Sequence, residues 1–282
     1  MGTVKSRTLH AVVDAAIEKL CPAAQSAPRS IVDIGTAHTV VLLDGTAAVR
    51  IARDPKMASL MRTRQQLVDS IPDSIGFLLP WSLGPVVELH GLSAVATRFI
   101  PGGPCPAGEG DPRQLLDLLT SVSSIATEPI EEMLAEPLAF CGGSDWYRIQ
   151  CEEVLPRLDQ DVRGRAADAV SALANLEPVR EVFARGDLAG HNVFWEGNRI
   201  VGVLDWDLGS RSDRSTDLAC IGAWNGWDKL PLIADPADVR RAAIRRNTFR
   251  LQQVAFTLVN GRSTEEIGQA VARANRWFRE RL

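Results

Sequence analysis

The proline- and glycine-rich run at residues 101–111 (PGGPCPAGEGD) separates two stretches of chain with different hydrophobic periods. Residues without an N–H or a Cβ at that density break helices and strands alike, so the run reads as a linker. Before it lie short β-type runs at 30–35, 39–43 and 46–52, with Asp44-Gly45 as a hairpin turn between the last two. Two more runs, 85–89 and 93–100, meet at His90-Gly91. A helical pattern at 9–20 places Val12, Val13, Ala16, Ile17 and Leu20 on one face, and a second at 56–71 does so with Met57, Leu60, Met61, Leu67 and Val68. Beyond the linker the pattern is mostly helical. Asp111-Pro112 caps a helix carrying Leu115, Leu116, Leu118, Leu119 and Val122. Helices are expected at 146–158 and 162–176. Asp235-Pro236 opens a long one toward Gly261, and Ser263 with Glu266 forms a capping box for the last. One β-hairpin interrupts them: strands at 192–195 and 199–204 around a turn at 196–198. The expectation is an α+β fold in two lobes. Residues 1–100 form a small antiparallel β lobe with an inserted helix, 101–111 the hinge, and 112–282 a larger, mainly helical lobe.

Composition narrows the class. Thirty-one Lys and Arg against 35 Asp and Glu give a net charge of −4 with no basic block, which argues against a nucleic-acid partner. No apolar run approaches the roughly 18 residues of a membrane span, and the N-terminus has no secretory hydrophobic region. Five cysteines (Cys21, Cys105, Cys141, Cys151, Cys220) without a C-x-x-C pair read as reduced thiols. A cytoplasmic protein is expected.

The chemistry concentrates in Arg185-Gly186-Asp187-Leu188-Ala189-Gly190-His191-Asn192, followed by the hairpin and Val203-Leu204-Asp205-Trp206-Asp207. Asp187 and Asn192 are five apart with Gly190 between them, so a tight loop can aim both side chains at one place. The hairpin then returns the chain and sets Asp205 beside Asn192. Such a trio offers one carboxylate for a hydroxyl proton and two oxygen ligands for a hard cation such as magnesium. Kinase catalytic loops use the same order: an Asp, an Asn five residues on, and a metal-binding Asp after a hairpin.

With the Asp-Leu-Ala of residues 217–219, these segments resemble the aminoglycoside phosphotransferase family, whose usual form is H-G-D-x-x-x-x-N followed by a D-W or D-x-E/D motif. The resemblance implies a bilobal protein-kinase-like fold and transfer of the terminal phosphate of ATP or GTP to a hydroxyl of a small molecule. It makes Asp187 the catalytic base, Asn192 and Asp205 the magnesium ligands, and Asp217 a structural acid at a helix start. In the N-terminal lobe, strand alternation puts Ala48 and Arg50 on one face. The family sets a small residue over the adenine and a basic one on the phosphates at that spacing. Gln65 stands nearest the place of a helix partner for Arg50. The run 93–101, with Phe99 and Ile100 at its end, would offer backbone groups to the base edge. Gly35, Thr36, Ala37 and His38 stand where a phosphate loop belongs. The implied partners are a nucleoside triphosphate with Mg2+ and a small hydroxylated acceptor, expected to be an aminoglycoside-like, macrolide or basic-peptide antibiotic.

This chain departs from the family pattern in three respects. Arg185 replaces the usual His, Arg50 replaces the usual lysine without a glutamate to pair it, and the phosphate loop holds one glycine. These departures keep open a second reading, a kinase-like protein that binds nucleotide or small molecule without efficient transfer. Other matches fit less well. Arg185-Gly186-Asp187 is an integrin-type tripeptide, and Met1-Gly2 with Ser6 fits a myristoylation pattern. Asp205-x-Asp207 resembles a phosphatase motif, but too little strand follows it to build that family's sheet. Trp224 reads as an ordinary core tryptophan. Glu131, Glu132, Glu136, Glu152 and Glu153 are either a solvated face or an attraction for a cationic acceptor.

Overall fold

The computed structural model describes residues 2–32, 38–43, 45–89 and 92–281. Gly35, Thr36, Ala37, Asp44, His90 and Gly91, at the expected phosphate loop and two expected turns, lie outside the described residues, as does Met1. In chain order the elements are α1 (Gly2–Leu20), β1 (Arg29–Val32), β2 (His38–Leu43), β3 (Ala47–Ala52), α2 (Pro55–Ser70), β4 (Val87–Leu89), β5 (Leu92–Arg98) and β6 (Gly103–Pro104). There follow α3 (Pro112–Ser123), α4 (Trp146–Ile149), α5 (Gln160–Ala174), β7 (Val182–Ala184), β8 (Val193–Glu196), β9 (Arg199–Val203) and β10 (Ser210–Ser212). The chain closes with α6 (Ser215–Asn225), α7 (Leu230–Ile233), α8 (Pro236–Val259) and α9 (Thr264–Arg281). It divides into two compact units, Met1–Pro104 with His191–Trp206, and Cys105–Gly190 with Asp207–Leu282.

The first unit is built on an antiparallel sheet in the order β1-β2-β3-β5-β4. Alternation gives each strand two faces, and a helix covers each. Val12, Val13, Ala16 and Ile17 of α1 pack on Val41, Leu43, Val49 and Ile51. Met61 of α2 packs on Ala52 and Val95 from the opposite side. Asp54 starts α2 by accepting from the Met57 N–H at 2.9 Å.

A second sheet of this unit, β6-β8-β9, corrects the expected lobe boundaries. By sequence the hairpin at 193–203 falls in the expected helical lobe. It instead pairs with Gly103 and Pro104, inside the expected linker, and with Leu78, whose N–H donates to Val201 O at 2.8 Å. Ile100 covers Gly202, where a Cβ would collide with its side chain. A two-residue strand and a single bridging residue have no periodicity, so sequence alone does not reveal them.

The second unit packs α5, α8 and α9 around Val162, Ala166, Val170, Leu251, Val254, Ala255, Ala274 and Phe278. The expected caps form. Asp111 accepts from the N–H groups of Arg113 and Gln114, Asp235 from those of Ala237 and Asp238, and Ser263 and Glu266 bond reciprocally. The helix expected at 146–158 is broken: α4 is four residues long, and a π-turn (Gln150–Val154) and a 3-10 turn (Leu155–Arg157) follow. Pro156 has no N–H for the helical ladder and its ring crowds the carbonyl four residues back.

The start of α6 is clamped to α8. Buried Asp213 accepts from Arg241 at 2.6 and 2.8 Å and from Arg245 at 3.1 Å, while Arg245 Nε donates to Ser215 at 2.7 Å. Burial works against the Asp213 charge, yet the Ser215 N–H and the two guanidinium groups hold its carboxyl below the usual range. Asp213→Ala leaves two largely buried cations without their counter-charge and should cost about 3 kcal/mol in urea unfolding at pH 7. Because its pKa is lowered on folding, this stabilisation is present above the ordinary carboxylate range and is lost as pH falls through the lowered value. The gap between wild type and Asp213→Asn should therefore close on acidification.

Candidate active site

The residues expected to act chemically fall on two short segments, Asp187 in the second unit and Asn192 with Asp205 in the first. In the second unit, β7 pairs with β10 and runs straight into the loop at 185–190. The loop's first two N–H groups, of Arg185 and Gly186, both point at the carboxylate of Asp217, at 2.7 and 2.8 Å. Asp217 is buried in the first turn of α6, as a structural acid should be. Burial pushes its pKa up to about 6, against the pull of those two N–H groups, which leaves it a carboxylate at neutral pH.

Gly186 is required at its position for two reasons. Its φ of +87° is left-handed, and a Cβ would stand 2.8 Å from the Leu208 carbonyl oxygen. The Arg185 side chain is wholly buried and turns forward along the loop. Its Nη1 donates to the Asp187 carbonyl and lies 3.6 Å from Asp187 Oδ2. Arg185 thus braces the loop from beneath. The Asp187 carboxylate itself stays 34% exposed, reachable from outside and held from behind.

The first unit carries Asn192 and Asp205 at the two ends of the β8–β9 hairpin. The Leu204 N–H donates to Asn192 O at 2.8 Å, one residue beyond the register Val193↔Val203, so Asp205 follows directly on Asn192's partner. Trp206 is wholly buried. It stacks on Phe77 with centroids 6.4 Å apart, and its Nε1 donates to Val203 O at 3.0 Å. Returning the indole to Val203 demands a sharp turn, and Asp205 makes it with a φ of +54°. The result is an exposed carboxylate on a backbone conformation that costs a non-glycine residue about 1–2 kcal/mol.

A divalent cation fits this pair in kind. Asn192 and Asp205 flank the β8–β9 hairpin and carry oxygen-bearing side chains of the kind such an ion takes. Among the described residues, no group of three or more His, Cys, Asp or Glu could hold a metal unaided. Two protein ligands leave most of a magnesium shell to phosphate and water, which is how that ion is usually bound beside a nucleotide.

The other expected residues separate. Ala48 and Arg50 are half-buried on the β3 face that α2 covers, and Arg50 Nη2 lies 3.2 Å from His38 Nδ1. That histidine is a neighbour the sequence reading missed. It starts β2, two residues from the register partner of Arg50, so cross-strand geometry was the available signal. Gln65 does not pair with Arg50. It is buried, and its Nε2 donates to Asp69 Oδ1 at 2.9 Å and Pro80 O at 3.1 Å. Asp69 also accepts from the N–H and hydroxyl of Ser82, so this part of α2 secures the 80–82 segment. Phe99 is half-buried, and the buried Ile100 side chain packs on the second sheet.

Residues 78–256 match the profile of the Phosphotransferase enzyme family, a stretch that includes the 185–192 loop, the hairpin and α6. Viomycin phosphotransferase of Streptomyces vinaceus is 31% identical over 159 residues, 52% of this chain and 55% of that protein. The chain therefore spans about half the length of that relative. The GDP complex of wild-type aminoglycoside 2'-phosphotransferase-IIIa shares the fold, with a TM-score of 0.81 over 98% of this chain and 99% of that one at 13% identity. So does macrolide 2'-phosphotransferase from Brachybacterium faecium, with a TM-score of 0.66 over 89% and 92% at 16% identity. No helix among the described residues is long and apolar enough to cross a membrane.

Asp217→Ala removes two bonds to a charged acceptor and strands two N–H groups, so it should lower stability by about 2–4 kcal/mol. The Asp217 carboxyl titrates higher in the folded protein than in the unfolded chain. Its contribution is therefore greatest below about pH 4 and falls as pH rises through about 6. Urea unfolding across that range should show the wild type losing stability relative to Asp217→Asn; a constant difference would disprove the assignment.

Proposed function

We infer that this chain, which belongs to the phosphotransferase enzyme family, transfers the γ-phosphoryl group of ATP or GTP to a hydroxyl of a small antibiotic. Asp187 takes the proton of the acceptor hydroxyl. The freed oxygen forms a bond to the γ-phosphorus as the bond to the β,γ-bridging oxygen breaks, and the nucleoside diphosphate leaves. Arg185 keeps the Asp187 main chain and carboxylate in place through this step. Asn192 and Asp205 would hold magnesium, which when bound would neutralise negative charge on the phosphate oxygens. Arg50 adds a second positive group there, Ala48 leaves room above the base, and the backbone at Phe99 and Ile100 meets the base edge.

The observation that carries this reading is Asp205. A chain holds a non-glycine residue in the left-handed region when something around it enforces the conformation, here the buried Trp206. The carboxylate so displayed follows the partner of Asn192, the arrangement a phosphate-bound cation needs. The acceptor class is supported by the relatives, whose names cover viomycin, aminoglycosides and macrolides. The cytoplasm, where nucleoside triphosphates are available, is the compartment such chemistry needs.

The test is transfer of label from ATP and GTP, with magnesium, to aminoglycosides, macrolides and basic cyclic peptides. Asp187→Ala should lower turnover by about two to four orders of magnitude, the usual size of a general-base contribution, with nucleotide affinity within about twofold. Asp205→Ala should raise the magnesium concentration needed for half-maximal rate. Nucleotide binding without transfer to any acceptor would favour a kinase-like binding protein. Absence of nucleotide binding would overturn both readings.

A further inference from the structure

Trp224 does not behave as an ordinary core residue. It is only half-buried, and its indole occupies the place where a Cβ on Gly190 would sit. We propose that Trp224 is a positioning residue for Asp187, and that α6 acts as a template on which the 185–190 loop is laid. The proposal rests on reading Asp187 as the group that takes the acceptor's proton.

The template follows from helix geometry. Asp217 and Trp224 are seven residues apart, two turns of α6, so they share one face about 10 Å apart along the axis. Asp217 binds the first two N–H groups of the loop. Trp224 meets its last residue, Gly190, whose backbone can lie against the ring because it has no side chain. Cys220, one turn after Asp217 on the same face, sets its Sγ 4.0 Å from Gly186 O. The loop is therefore fixed at both ends by one rigid element, with Asp187 between the two attachments.

The indole is held in turn by the segment read from sequence as a linker. Its Nε1 donates to Cys105 O at 3.1 Å, and its own carbonyl accepts from the Gly108 N–H at 2.7 Å. Asn225 Nδ2 donates to Glu109 O at 2.8 Å. Lys229 Nζ joins Gly108 O, at 2.5 Å, to Asn225 O, at 2.6 Å. Residues 105–109 are thus a strap across the end of α6. The strap sets the angle of the ring, and the ring sets the height of Gly190. A base displaced by an ångström forfeits about a hundredfold in rate, so the height matters.

Four variants test this: Trp224→Ala, Trp224→Phe, Gly190→Ala and the double variant Trp224→Ala/Gly190→Ala. Trp224→Ala should lower kcat by about 10- to 100-fold while the KM for nucleotide stays within about twofold. Trp224→Phe keeps an aromatic face against Gly190 but loses the donor to Cys105, and should lose less. In the double variant the new methyl enters space the indole has left. Its loss should fall well short of the product of the single losses. Amide exchange measured by mass spectrometry gives an independent readout: the 185–190 peptide should lose protection in Trp224→Ala while α5 and β3 keep theirs. Unchanged kcat in Trp224→Ala, multiplicative losses, or unaltered exchange would each overturn the proposal. A wild type without transfer activity would instead sink the functional reading, and the exchange experiment would still decide whether Trp224 holds the loop.

Discussion

One buried carboxylate holds the site together. Asp217 binds the two N–H groups that begin the 185–190 loop, and everything that loop presents depends on those bonds. A carboxylate out of water is costly unless its lone pairs are met, and the same requirement makes it selective, because only a loop with two adjacent N–H groups on one side can meet them. Gly186 supplies the left-handed backbone that turns both groups inward. The Asp213 clamp from α8 fixes the start of the helix that carries Asp217, so the order of dependence runs from α8 to α6 to the loop. Asp187 lies inside this frame, with its carbonyl and carboxylate against the Arg185 guanidinium.

Each unit displays a carboxylate from a buried anchor, half-buried at Asp187 and exposed at Asp205, but the anchors differ in kind. Asp187 is carried by charge: a wholly buried guanidinium on one side and the Asp217 carboxylate fixing the same stretch of main chain. Asp205 is carried by apolar burial. Trp206 places its rings in the first unit, and the one-residue turn needed to get them there forces Asp205 outward. The second device pays in backbone strain of about 1–2 kcal/mol, which burial of a tryptophan readily exceeds.

What could be read from the sequence is what local physics decides. The hairpin that joins Asn192 to Asp205, the Asp111 cap and the Ser263–Glu266 box each rest on partners only a few residues away. The α+β class followed from the change of period near residue 101. What escaped reading depends on partners far along the chain. The hairpin at 193–203 joins the first unit because Gly103, Pro104 and Leu78 pair with it, about 90 to 125 positions earlier. Gln65 faces Pro80 rather than Arg50, since its rotamer answers to what packs on α2 and not to its place in a pattern. Trp224 looked like core because composition cannot say which backbone an indole lies against.

Arg185 shows how a departure from a family pattern can be absorbed. A histidine at this position would titrate near neutral pH and offer two ring nitrogens. A guanidinium stays charged and extends several donors from a planar fork, so it can reach past Gly186 to both the carbonyl and the carboxylate of Asp187. The exchange has a condition. A permanent cation, wholly buried, is tolerable only where negative charge surrounds it, and here Asp187 and Asp217 supply that charge. Arginine, the two aspartates and the loop geometry therefore have to be accepted together. The brace is a planar fork rather than a ring, and its stability is tied to the Asp187 carboxylate it lies against.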